Sequence, residues 1–169
     1  MQLNVKNLVL VLLLIYAPVA ALAQLSDQVQ SDFATVDGTV VMPINDEYIV
    51  DLDDRDGLNI GDILTLVKPG KKIFHPETKA VIGSVDDAAG FLQVTRIYSG
   101  YSYARVLTDG LEPADGAAVK RFEQVPAVLE NGEPADPELA RQLQIYLPQL
   151  NWLQDTQSSQ ALLVFNLHE

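Results

Sequence analysis

The sequence of 169 residues predicts a mainly β protein, a small β-barrel followed by a helix–strand extension, and three observations predict it. Short apolar runs alternate with polar residues between positions 36 and 122, and turn signals fall about every 8 to 12 residues, the spacing of a barrel or sandwich rather than of a βαβ fold. Tyr48 to Val67 reads as a strand, a Gly-marked turn ending in Gly61-Asp62, and a second strand, which is how a small barrel begins. After Gln124 the composition changes, and the apolar spacing becomes that of a helix and then of a single strand.

Residues 1–23 are set aside as a secretory signal peptide. Lys6 supplies the basic region, Leu8 to Ala17 is apolar, and Ala21-Leu22-Ala23 is an A-x-A cleavage site. The apolar run ends at Pro18, short of the roughly 20 residues a membrane-spanning helix requires. No cysteine stands at the cleavage site, which excludes a bacterial lipoprotein anchor. The export signal implies the periplasm of a Gram-negative bacterium. Acidic residues outnumber basic ones 23 to 11, a net charge of −12, which argues against nucleic acid or an anionic membrane as the partner. With no cysteine in an exported chain, the core must be held by apolar packing alone.

Residues 24–35 are polar, with Leu25, Val29 and Phe33 at helical spacing, and form an N-terminal arm. The barrel is expected over 36–122. Thr39–Met42 and Tyr48–Leu52 are its first two strands, joined by the turn Pro43-Ile-Asn-Asp46. Asp51, Asp53, Asp54 and Asp56 invite a calcium loop, but the register fails. With Gly57 at the sixth position the loop would run from Leu52 to Ile63, and neither offers a carboxylate. A solvated turn with Gly57 at positive φ is expected instead. Asp62–Lys68 is a strand closed by Lys68-Pro-Gly-Lys-Lys72, a soluble hairpin tip. Ile73-Phe74 and Ala80–Ile82 flank the tight connection His75–Lys79, and His75 has no companion ligands for a metal role. Asp86–Gly90 is expected to be a loop.

Phe91–Ile97 and Tyr101–Leu107 are the next strands, with Ser99-Gly100 as their turn. Alternation puts Ser102, Ala104 and Val106 inside the barrel and Tyr101, Tyr103 and Arg105 outside. With Tyr98, these residues form a candidate recognition face, because Tyr and Arg are enriched among interface anchors. The competing reading has the tyrosines covering the barrel flank against the C-terminal helix. Ala117–Phe122 closes the barrel, for a count of seven or eight strands.

Residues 123–136, rich in Pro and acidic residues, are expected to be a linker. Residues 137–169 form the extension. Asp136 is a fitting N-cap, Pro137 a fitting first helical residue, and Leu139, Leu143, Tyr146, Leu147 and Leu150 an apolar stripe that Pro148 terminates. Ala161–Leu167 is a final apolar strand. One helix and one strand cannot bury both their faces, so the extension must dock on the barrel or meet a partner, with a homodimer among the possibilities.

Several stretches resemble the C-terminal domain of the flagellar assembly protein T family, a periplasmic SH3-like barrel. They are Gly57-Leu-Asn-Ile-Gly-Asp62, Pro76-Glu-Thr-Lys79 before Ile82-Gly83, Gly90-Phe-Leu-Gln-Val94, and Tyr101-Ser-Tyr-Ala-Arg-Val106. The resemblance spans about half the chain and implies an SH3-like β-barrel in a bacterial envelope protein. The chain departs from that family in having only a short arm before the barrel and a helix–strand tail after it. Two functions are then expected to compete: a non-catalytic module that binds envelope proteins during assembly of flagellar or other surface machinery, and an SH3-like module that binds peptidoglycan or glycan. A hydrolase needs a nucleophile with a positioned base, or a carboxylate pair set in apolar surroundings, and no stretch offers either. No catalytic residue, metal ligand or cofactor is assigned.

Overall fold

The computed structural model describes residues 27–130 and 137–166. The signal peptide, the Asp136 cap and Leu167 lie outside the described residues. The chain divides into two units between Phe33 and Ala34. In the first, residues 27–32 are helical, closed by the Phe33 amide on the Val29 carbonyl at 3.1 Å.

The second unit opens with a closed, mainly antiparallel barrel, as the alternating runs predict. Its strands are β1 (Asp37–Ile44), β2 (Glu47–Val50), β3 (Ile63–Phe74), β4 (Val81–Tyr98), β5 (Tyr101–Val106) and β6 (Ala118–Arg121). Around the barrel the order is β1-β2-β5-β4-β3-β6, and β6 pairs back onto β1 from Asp37–Lys120 to Thr39–Ala118. Closure leaves no sheet edge where the barrel is complete. Inside lie Val40, Val50, Leu52, Leu58, Leu64, Leu66, Leu92, Val94, Ala104 and Val119. Those in the strands take alternate positions, the inward half of the period-two pattern, and Leu52 and Leu58 join them from the connection between β2 and β3.

Six strands stand where seven or eight were counted, because two of them are long. β3 has 12 residues and β4 has 18. The Lys68–Lys72 turn and the Asp86–Gly90 loop expected from sequence are both strand, and Ile73-Phe74 and Val81-Ile82 continue β3 and β4 rather than forming a hairpin of their own. The breakers are absorbed as irregularities. The register shifts between Lys68 and Lys71, where Pro69 and Gly70 fall, and Pro is tolerated in a sheet at such bulges. The real tip is His75–Ala80. There the His75 Nδ1 accepts the Glu77 and Thr78 amides at 3.3 and 3.2 Å, and the His75 amide donates to Ala80 O at 2.9 Å.

The stretch expected to be a linker contains a strand, β7 (Pro126–Glu130). It is followed by α1 (Pro137–Tyr146), β8 (Asn151-Trp152) and β9 (Leu163–Asn166). β7 is the central strand of a parallel sheet of order β8-β7-β9. Parallel strands need a crossover, and α1 supplies the one between β7 and β8. Val125, Ala127, Val128, Leu129, Leu147 and Leu150 are buried, and the rings of Trp152 and Phe165 lie 5.2 Å apart. The final strand therefore finds its partner within the chain. A continuous apolar run is the mark of a strand buried on both faces, and Val125-Pro-Ala-Val-Leu129 is such a run. Pro126, as the first residue of the strand, costs it little.

Barrel and parallel sheet are joined by a tight turn. Phe122 and Gln124 adopt left-handed backbone with φ of 55° and 52°, unusual for a bulky residue. Phe122 is buried, the Gln124 amide donates to Gln149 O at 2.7 Å, and Gln124 Nε2 donates to Asp86 O at 3.1 Å. These contacts hold the strained conformation in place.

Candidate functional site

The β4–β5 hairpin carries the candidate residues. Strand alternation and the Tyr98–Tyr101 and Arg96–Tyr103 pairings bring three rings and one guanidinium onto the same outer face. Tyr98 and Tyr101 stack with centroids 5.3 Å apart and planes 16° apart. Tyr103 closes the cluster at 5.7 Å from Tyr98 and 5.9 Å from Tyr101. Tyr98 keeps 45% of its surface exposed, and Tyr101 and Tyr103 are half-buried. Ser102 and Ala104 face inward and are buried, as alternation predicts.

Arg96, absent from the sequence-based set, centres its guanidinium 4.1 Å above the Tyr103 ring. Such an arrangement draws the cation to the negative face of the ring. The same guanidinium pairs with Glu47 on β2, whose carboxylate also accepts the Thr95 hydroxyl. The Thr95 hydrogen bond leads the effects that hold the Glu47 carboxyl below its ordinary value, with the Arg96 contact adding to it and partial burial opposing both. Arg105 stands apart from the rings. It is cross-strand to Glu47 and Gln93, and its Nη2 donates to Gln93 Oε1 at 2.7 Å. The face is therefore three tyrosines with Arg96 over Tyr103, and Arg105 one rung further along. Period-two spacing from Tyr98 points to Arg96, and that was the available signal.

The turn of this hairpin is anchored from below. Asp53 is 2% exposed. Its Oδ2 accepts the Gly100 amide at 2.6 Å and the Arg55 Nε at 2.9 Å, and its Oδ1 accepts the Arg55 amide at 2.9 Å. The side-chain bond from Arg55 is the main reason its carboxyl falls to about 2, assisted by the Gly100 and Arg55 amides and opposed by burial. Gly100 has φ of 91°, which leaves its amide free to point at Asp53.

The other aspartates of this region serve separate structural purposes. Asp51 Oδ1 accepts the Thr39 amide at 2.5 Å, and Asp56 Oδ2 accepts the Asp53 amide at 3.0 Å, closing a capping box around the short helical turn Asp54–Asp56. Asp62 Oδ2 accepts the Asn59 amide at 2.9 Å and Arg121 Nε at 2.6 Å. Among the described residues, no group of three or more His, Asp or Glu side chains gathers as a metal site. Compared with known family models and with curated proteins, the chain matches none.

Proposed function

We propose that the protein is a non-catalytic, exported module of the bacterial envelope that binds another envelope protein through its tyrosine face. The observation that carries this reading is the cluster of Tyr98, Tyr101 and Tyr103, with ring centroids 5.3 to 5.9 Å apart, and the Arg96 guanidinium over the Tyr103 ring. Tyr and Arg are the side chains most enriched at interface anchors, and aromatic rings already packed against one another lose little freedom on binding. Asp53 fastens the hairpin turn and Glu47 holds Arg96 from the neighbouring strand, so the shape of the face exists before a partner arrives. The site supplies aromatic surface, phenolic hydroxyls and a cation, with no nucleophile and base arranged for bond cleavage.

The flagellar resemblance bears on this proposal through Tyr101-Ser-Tyr-Ala-Arg-Val106, because that stretch is β5 itself. A role in assembling flagellar or other surface machinery follows from the resemblance. The ring cluster also favours a second reading, glycan binding, since stacked tyrosines offer flat faces on which the apolar face of a sugar can rest.

Capture from a solubilised envelope fraction tests the first reading. The double variant Tyr101→Ala, Tyr103→Ala is expected to lose a partner retained by the wild type while keeping its thermal midpoint. Retention of the same partner by the folded double variant would remove this face from consideration. Titration with soluble peptidoglycan fragments, read by tyrosine fluorescence, separates the two: quenching that saturates would transfer the face to a glycan.

A further inference from the structure

The tip of the β3–β4 ribbon presents apolar side chains to solvent on a strongly acidic protein, Phe74 and Val81 paired across one face and Ile73 on the other. Ile73, Phe74, Val81 and Ile82 are 43%, 55%, 55% and 61% exposed. β6 pairs with β3 only at Leu64–Leu66, and β5 pairs with β4 only from Leu92 onward. About 20 Å of two-stranded ribbon therefore continues past the closed barrel. Such a ribbon is marginal alone, and clustered apolar residues on it mark a surface that something covers. Lys71, Lys72 and Lys79 surround this tip with Glu77 as its one acidic residue, while Asp86 and Asp87 lie further down β4, Asp87 opposite Lys68, and the chain as a whole carries −12. The outer half of the ribbon is a basic spot on an acidic molecule.

We propose that this ribbon docks on a second copy of the chain, across the hairpin formed by β1 and β2. That hairpin supplies the complement. Val41 and Met42 are 47% and 45% exposed, at a bulge between Val40 and Met42, and the adjoining turn exposes Asp46. From Val41 to Ile44 the outer side of β1 lies beyond its pairing with β6. Apolar meets apolar and lysine meets aspartate. A symmetric ribbon-to-ribbon contact would instead place Lys71 and Lys72 of one copy against those of the other, so the contact is heterologous. Tip-first entry into a lipid bilayer is disfavoured by the exposed Pro76, Glu77, Thr78 and Lys79 at the tip, which would enter first. The proposal uses a different surface from the tyrosine face and stands whether or not that face binds a partner.

Light scattering across the accessible concentration range tests it, at physiological salt, where repulsion between the acidic bodies is screened beyond about 8 Å. The wild-type mass is expected to rise with concentration. Two variants are each expected to remain monomeric with unchanged melting: Lys71→Glu with Phe74→Ser on the ribbon, and Met42→Lys with Asp46→Lys on the acceptor. Mixed together, they should form a one-to-one heterodimer, because one keeps an intact acceptor and the other an intact ribbon. A wild type monomeric at every concentration would overturn the proposal, as would an oligomer that survives the ribbon variant, or two variants that fail to combine. Binding of the monomer to anionic phospholipid vesicles, lost with Phe74→Ser, would assign the ribbon to a membrane surface instead.

Discussion

The Asp53 carboxylate accepts the Gly100 amide at 2.6 Å across 47 residues of sequence, and that bond fastens the tyrosine hairpin to the first acidic turn of the barrel. Its strength depends on the carboxylate staying ionised. The Asp53 carboxyl sits at about 2 against an ordinary 3.8, so its contribution to stability is complete above 3.8 and is lost as pH falls toward 2. Near-ultraviolet circular dichroism of the tyrosines is expected to change through that window. Asp53→Asn should show the acid-form signal already at neutral pH, and an unaltered signal in that variant would dissociate the turn from the ring cluster.

Gly57 ends the Asp54–Asp56 turn with φ of 78°, as the Asp56-Gly57 dipeptide implies. Open space surrounds a Cβ at this position, whose nearest neighbour would be Arg121 Nη1 at 3.9 Å. Backbone conformation is thus the whole cost. Gly57→Val is expected to destabilise by about 1 kcal/mol or somewhat more, read as a shift in the urea midpoint at constant slope.

Asp62, the last residue of the Gly57–Asp62 turn, forms an ion pair with Arg121, which is 3% exposed. A buried pair adds little over a well-packed apolar pair, yet losing one member is expensive. Asp62→Ala takes the carboxylate away from a buried guanidinium and is expected to cost about 3 kcal/mol in chemical denaturation. Arg121→Met should cost less when combined with Asp62→Leu than the single Asp62→Ala change does, because no buried charge is then left behind.

Ser102 behaves in the opposite sense. Its side chain is fully buried in the barrel, and its Oγ has no hydrogen-bond partner among the described residues. Removing an unsatisfied hydroxyl relieves a desolvation penalty, so Ser102→Ala is expected to leave stability unchanged or raise it by up to about 1 kcal/mol. A clear drop in the thermal midpoint would show that the hydroxyl finds a partner in solution, a buried water included.

These elements also show how far the sequence could be read and why it failed where it did. Inward and outward faces of β5 followed from alternation, because one face is buried and a one-residue slip would reverse them all. Gly57 was legible because Asp-Gly at a turn has a conformational cause. The ribbon was misjudged because Pro69-Gly70 and Asp86–Gly90 are turn residues by local preference, whereas pairing along β3 and β4 absorbs them as bulges. Local chemistry cannot register a partner strand that lies some 20 residues away. Arg96 was legible too, two residues before Tyr98 and paired with Tyr103 in unbroken register from the turn, once alternation is followed along β4 as well as β5. β7 was hidden by three prolines and a glycine nearby, although its own apolar run was in plain view.

The strand in the expected linker changes the predicted unfolding. Val125 is fully buried, Phe122 is 4% exposed, and the Thr65 hydroxyl on β3 donates to the Glu123 carbonyl, so the junction between barrel and parallel sheet is packed. Residues 34–169 cluster as a single unit, and a domain of this kind is expected to melt in one cooperative transition with equal calorimetric and van't Hoff enthalpies. Leu147 lies in the parallel sheet's core, fully buried just after α1, and its carbonyl accepts the Trp152 indole at 3.0 Å. Leu147→Ala is expected to cost about 2 to 5 kcal/mol by leaving a cavity. If junction packing couples the two sheets, that loss lowers the single midpoint for tyrosine and tryptophan signals alike. Tryptophan fluorescence melting early, with the tyrosine dichroism unmoved, would instead show that the parallel sheet unfolds alone and that the Phe122–Val125 junction transmits nothing.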